Sequence, residues 1–296
     1  MTLIEQALVA IGETATSSLK NNPDTYDKDG IAYCSKCNTP LQSWIKGPPD
    51  YNGERRMLLM PVRCDCMKEK ARLEEQKAKQ ADFERSLRDL RKAIGMYDAQ
   101  GRSNYNSTFA NDNQTRQDIS ATCRKYVNEW EIMRKENIGI LFYGSKGTGK
   151  TFYAECIVNA LAEKGIATGI TTTSELILRM QGNFDKEDIM ESIRNFSLLV
   201  IDDFGAERET SFGLETVYNV VNIRYKAGKP TIFTTNLDFT DMKNEKDISR
   251  GRIYDRIIEM CPIQLEMAGE SRRLGLSEER KKKARMFFRR KTVEGK

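Results

Sequence analysis

The segment Gly144-Ser-Lys-Gly-Thr-Gly-Lys-Thr151 constrains this chain more than any other. It fits G-x-x-x-x-G-K-[ST] at every fixed position. The apolar run from Ile138 to Tyr143 suits a buried strand before it. Thr151 to Glu163 is patterned as a helix after it, with Gly165 as the C-terminal stop. A loop of this kind between strand and helix predicts an α/β domain with a parallel sheet. Gly144, Gly147 and Gly149 let the backbone curl until successive N–H groups face one anion. The helix beginning near Lys150 adds the positive end of its dipole. The predicted nucleotide-binding set is Gly144, Ser145, Lys146, Gly147, Thr148, Gly149, Lys150, Thr151 and Phe152. Lys150 is expected to reach the phosphates of ATP and the Thr151 hydroxyl to coordinate magnesium.

About fifty residues on, NFSLLVIDDFGAE reads as a buried strand ending in acids. Ligands of open α/β sheets sit at the carboxyl ends of strands, so Asp202 is expected beside the loop, on magnesium. Asp203 is placed either to polarise the attacking water or simply to cap the next turn, with Glu207 in reserve for the water. A further strand, Thr231 to Thr234, leads to Asn236. That side chain either orients the water and senses the γ-phosphate or forms a turn. Arg252 and Arg256 share one helix face at i,i+4. Each is either a surface ion-pair partner or a guanidinium for the charge that develops in phosphoryl transfer.

The chain has 296 residues, seven Cys and no histidine. The missing imidazole excludes Ser-His-Asp and Cys-His catalysis, HExxH metal helices and Cys/His zinc fingers. A metal must use Cys, Asp, Glu or hydroxyl ligands. Cys34-x-x-Cys37 and Cys64-x-Cys66 form two close pairs, the pattern of a closed tetrahedral zinc site. A disulfide pair and an iron–sulfur cluster are the rivals. Cys123, Cys156 and Cys261 read as small core residues. No stretch approaches the ~18 apolar residues of a membrane span, and the N-terminus lacks the pattern of a secretory signal. A cytoplasmic protein with no membrane partner is expected. Leu3, Ile4, Leu8 and Ile11 suggest an N-terminal amphipathic helix. The net charge of +5 permits nucleic acid without arguing for it.

GSKGTGKT, LLVIDDFGAE, TIFTTNL, GRIYDRI and GESRR, in that order, resemble the AAA+ ATPase domain of the DnaC/DnaI-type replicative helicase loaders. Transposition helper ATPases of the IstB type look similar. The resemblance implies ATP or ADP with magnesium, head-to-tail self-association and single-stranded DNA binding modulated by nucleotide. It makes Asn236 the first sensor, Arg256 the arginine finger with Arg252 as alternative, and Arg273 the second sensor. It also places Phe184, Thr210 and Phe212 near single-stranded DNA. Many AAA+ proteins carry Glu where this chain has Asp203, so slow hydrolysis is implied.

The fold expected is therefore an AAA+ P-loop domain with a parallel sheet, preceded by a small Cys-rich zinc domain and a charged linker helix. The boundaries read as 1–66 zinc and helicase-interaction domain, 67–104 helical linker, 105–277 ATPase domain and 278–296 basic tail. The family likeness makes a replicative hexameric helicase the partner, contacted by the zinc domain. An IstB-like helper acting on duplex DNA and a transposase is the alternative. A small-molecule kinase is the rival from another class.

Overall fold

The computed structural model describes residues 24–49, 53–96, 105–113, 115–182, 184–205, 210–269, 271 and 280–286. The chain divides into two units, one ending at Glu84 and the other beginning at Arg85.

In the first unit, β1 (Thr25–Lys28) and β2 (Ile31–Cys34) form an antiparallel hairpin. Its turn residues Asp29 and Gly30 have φ of 53° and 78°, as a tight Asp-Gly hairpin turn demands. A second hairpin pairs β3 (Gln42–Pro49) with β4 (Arg55–Pro61), setting Trp44 opposite Leu59 and Ile45 opposite Leu58. The buried apolar cluster here is only Ala32, Cys34, Leu41 and Cys64. So small a core needs a staple. Helix α1 (Asp65–Ala93) follows. Its interspersed charges pair one turn apart, as in Asp65–Lys68, Glu69–Arg72 and Glu75–Lys79. Beyond Glu84 the helix changes character: Leu87, then Ile94 and Met96 after its end, are buried in the core of the second unit.

That unit runs α2 (Gln117–Asn128), α3 (Trp130–Lys135), β5 (Ile140–Tyr143), α4 (Lys150–Glu163), β6 (Thr168–Thr172), α5 (Thr173–Gln181), α6 (Lys186–Asn195) and β7 (Leu198–Phe204). It continues through α7 (Ser211–Ala227), β8 (Thr231–Thr235), α8 (Phe239–Lys243), α9 (Ile248–Met260) and β9 (Ile263–Glu266). The five strands lie in the order β6-β7-β8-β5-β9, and every pairing is parallel. Both faces of β5, β7 and β8 are covered, which is why β5 (ILFY) and the start of β7 (LLVI) read as apolar runs, while β8 (TIFTT) buries threonines as well. This is the α/β P-loop architecture expected of an AAA+ domain. Helix starts follow the sequence. Asp185 accepts the amides of Glu187 and Asp188, and Thr210 accepts that of Gly213 at 3.0 Å. Arg224 is fully buried, and its guanidinium donates to the carbonyls of Ile193, Phe196 and Pro230 and to the Thr231 hydroxyl. It ties the end of α6 to the start of β8. Because β8 lies between β5 and β7, the loops leaving all three strands meet at one edge.

Candidate functional site

The phosphate-binding loop leaves β5 and enters α4. Gly144, Gly147 and Gly149 have φ of 116°, 78° and 102°, values that a side chain would strain. Gly147 is also tight in space: a Cβ there would stand 2.0 Å from the Ser271 hydroxyl. Ser271 belongs to GESRR; Arg273 lies outside the described residues. Ser145 and Lys146 are exposed, whereas Thr148 is buried and donates to the Ser145 carbonyl at 2.8 Å. Lys150 is buried. Its ammonium donates at 2.8 Å to the carbonyls of Gly144 and Ser145 and to Asn236 Oδ1. Phe152 packs edge-on against Tyr153.

The acids arrive from β7. The Thr151 hydroxyl lies 2.9 and 3.1 Å from the two Asp202 carboxylate oxygens. The Thr234 hydroxyl donates to the same carboxylate from β8. Burial pushes the Asp202 carboxyl above its ordinary range. The two hydroxyl bonds oppose that shift, and the charge of Asp203 adds to it. A hydroxyl and a carboxylate in contact are the oxygen donors magnesium takes, so this pair fits the cation. Asp203 is exposed and has φ of 51°, where the pairing of β7 with β8 shifts between Ile201 and Phe204. The irregularity turns the second acid out of the strand's alternation. Its amide donates to Thr234 Oγ1 at 3.0 Å, and its carbonyl accepts from Thr173. Sequence reasoning missed Thr234 altogether. It read as one more β-branched strand residue.

The remaining positions are spread wider. Arg252 is exposed on α9. Arg256 is half-buried, its guanidinium 4.9 Å from the Tyr218 ring and 5.6 Å from the Tyr225 ring, both on α7. Thr210 is the cap of α7, and Phe212 beside it is half-buried. Phe184 is 52% exposed, with Arg179 stacked 4.6 Å over its ring. Glu207 and the N-terminal positions Leu3, Ile4, Leu8 and Ile11 lie outside the described residues.

In the first unit the four sulfurs of Cys34, Cys37, Cys64 and Cys66 lie within 4.8 Å of one another. Cys64 and Cys66 are 3.2 Å apart and Cys34 and Cys66 3.5 Å. Cys34 and Cys37 flank a turn closed by Asn38 N–H to the Cys34 carbonyl. Cys64 and Cys66 stand at the start of α1. The Thr39 hydroxyl draws the Cys37 thiol down to about 5. Hydrogen bonding with the Cys64, Cys34 and Cys37 sulfurs pushes Cys66 up to about 12. Four sulfurs gathered this closely suit a soft cation and the tetrahedral set that zinc takes.

A family model described as IstB-like ATP binding protein matches residues 70–281. The chain belongs to that family. Its likeness to DnaC/DnaI-type proteins is borne out as well. The replicative helicase loader DnaI of Bacillus subtilis is 29% identical over 149 residues, 46% of this chain and 47% of that protein. The replicative helicase loader DnaC of Escherichia coli K12 is 29% identical over 140 residues, 45% of this chain and 54% of that one. The chain thus spans about half the length of these curated relatives. A crystal structure of DnaI aligns over 57% of this chain and 91% of its own, with 23% identity and a TM-score of 0.49. Among the described residues no helix is long and apolar enough to cross a membrane.

Proposed function

We propose that this protein is an ATP-dependent loader of a replicative hexameric helicase onto single-stranded DNA, acting in the cytoplasm. The observation that carries the reading is the joining of a four-thiol unit to a P-loop ATPase unit whose curated relatives include helicase loaders. In this reading residues 1–66 meet the helicase, 67–104 link, 105–277 bind and hydrolyse ATP, and the basic 278–296 form a tail. Cys34, Cys37, Cys64 and Cys66 would hold a structural zinc ion.

The chemistry assigned to the site is in-line attack of water on the γ-phosphate. The amides from Gly144 to Thr151 bind the phosphates, and Lys150 exchanges its carbonyl partners for β- and γ-oxygens. Magnesium, when bound by Thr151 and Asp202, would offset the charge on those oxygens. Asp203 orients the water and Asn236 senses the γ-phosphate beside Lys150. Arg256 of a neighbouring subunit, or Arg252 in its place, stabilises the developing charge, with Arg273 on the chain's own nucleotide. Phe184, Thr210 and Phe212 face single-stranded DNA. The shorter reach of Asp than Glu at 203 makes turnover slow, which a switch tolerates.

The test is capture of the purified replicative helicase by the full chain with ATP and magnesium. Capture that depends on an intact Cys34 and Cys64 supports the loader. No capture, together with binding of duplex DNA and a transposase, gives the IstB-like reading instead.

A further inference from the structure

Within the second unit, the end of α1 is clasped to β6 and α5 at three places. Arg91 donates to the Thr168 carbonyl at 2.8 Å and to its hydroxyl at 3.0 Å. The Thr171 hydroxyl donates to the Ile94 carbonyl at 2.7 Å. Arg179 of α5 donates from Nη1 to the carbonyls of Lys92 and Ala93 at 3.2 and 3.5 Å. The cation of the third clasp is shared. The same guanidinium pairs with Glu175 at 2.6 Å and lies 4.6 Å over the ring of Phe184. The approach is tight. A Cβ on Gly95 would stand 2.4 Å from the Glu175 carboxylate and 2.7 Å from Arg179 Nε.

The helix end is closed by two backbone bonds, Gly95 N–H to the Lys92 carbonyl at 3.1 Å and Met96 N–H to the Arg91 carbonyl at 3.0 Å. The Lys92 carbonyl therefore accepts from both Gly95 and Arg179. A cation at terminal carbonyls also offsets the negative end of the helix dipole. One side chain thus holds a helix cap and covers one face of an exposed aromatic ring.

We propose that Arg179 is a positioning residue that couples single-stranded nucleic acid on Phe184 to the C-terminal cap of α1. The coupling rests on the reading of Phe184 as a stacking platform. A base stacked on the open ring face brings its phosphates within reach of Arg179. A phosphate is a stronger partner for guanidinium than a neutral carbonyl. Arg179 then turns from Lys92 and Ala93, and the cap loosens.

The experiment is amide hydrogen exchange on the full chain with and without an oligothymidylate, alongside fluorescence anisotropy of the labelled oligonucleotide. On binding, the Gly95 and Met96 amides are expected to exchange about fivefold faster, the factor carried by one net hydrogen bond. In Arg179→Gln they exchange faster from the outset and the oligonucleotide adds nothing, while ATP binding is unchanged. Arg179→Lys gives the same lost response should the glutamine variant fail to fold, since an ammonium lacks the planar fork. If Phe184→Ala weakens oligonucleotide binding but the oligonucleotide leaves cap exchange unchanged, the coupling is wrong and the platform stands. If Phe184→Ala binds as tightly as the wild type, the platform reading fails and takes the coupling with it.

Discussion

Thr234 braces both acids of the site: its hydroxyl donates to the Asp202 carboxylate and accepts the Asp203 amide at 3.0 Å. One strand residue thereby fixes the orientation of one carboxylate and the backbone turn that presents the other. Thr234→Val keeps the shape and loses both bonds. Partners of metal ligands typically matter by about 10- to 100-fold. Magnesium-dependent ATP hydrolysis is expected to fall by that factor, with Thr234→Ser recovering most of it. Steady-state phosphate release decides the matter, and wild-type rates in the valine variant would remove Thr234 from the mechanism.

Asp202 predicts a stability signature of its own. Its carboxyl lies above the ordinary range because burial disfavours the charge. A raised folded pKa means that the folded state binds the proton more tightly than the unfolded chain does. The stabilising contribution is present below the unfolded value of about 3.9 and is lost as pH rises through the folded value. At neutral pH the ionised group therefore costs stability. Without nucleotide and magnesium, Asp202→Asn is expected to melt higher than the wild type at pH 7, with the gap closing toward pH 3–4. With ATP and magnesium the order is expected to reverse, if Asp202 holds the cation as proposed. Thermal melts across pH would show an equal gap at both ends if burial were not the cause.

Asp203 occupies a left-handed backbone position, φ 51°. Asn and Gly tolerate it, whereas a β-branched residue pays about 1–2 kcal/mol. Asp203→Asn and Asp203→Gly should both melt like the wild type and both hydrolyse poorly, while Asp203→Val also loses stability. Normal turnover in the asparagine variant would leave Asp203 with a backbone role alone.

The phosphate loop and the first acid were legible because their chemistry dictates residue type at fixed spacing, from Gly144 to Thr151 and again at Asp202. The parallel sheet was legible because strands covered on both faces need unbroken apolar runs. Other features carry no such pattern. Thr234 is an ordinary strand residue until β7 is beside it. The turn at Asp203 depends on the register of β7 against β8, which no local sequence encodes. Arg224 looks like a surface base at the end of α7. Only the fold shows that the carbonyls of Ile193, Phe196 and Pro230 converge on it. The end of α1 reads as solvated charge, and Leu87 and Ile94 are too few to reveal a buried face.

The cysteine cluster makes a metal-dependent prediction. With two thiols forming half of so small a buried core and two more packed against it, the first unit should hold one zinc ion per chain and lose its fold without it. Elemental analysis of purified protein should give one equivalent. Cys34→Ser or Cys64→Ser should release it and expose the unit to trypsin, leaving ATP binding by the second unit intact. Iron in place of zinc would point to the cluster alternative, and full protease resistance without metal would make the thiols ordinary core.

Arg256 separates self-association from ordinary surface chemistry. Its guanidinium stacks near Tyr218 and Tyr225, and Nη1 is buried without a hydrogen-bond partner among the described residues. Aromatic stacking holds the fork rigid while leaving donor capacity unspent. If Arg256 serves the nucleotide of a neighbour, Arg256→Ala binds ATP normally and hydrolyses about a thousandfold more slowly. Lys150→Ala has lost its own phosphate grip but keeps Arg256. Neither variant should turn over alone. A mixture should recover activity, because an intact loop from one subunit then meets an intact arginine from the other. Titrating one inactive variant into the other and following phosphate release reads this directly. No recovery at any ratio would put the arginine in its own chain's service, or pass the role to the exposed Arg252, whose alanine variant is tested in the same mixture.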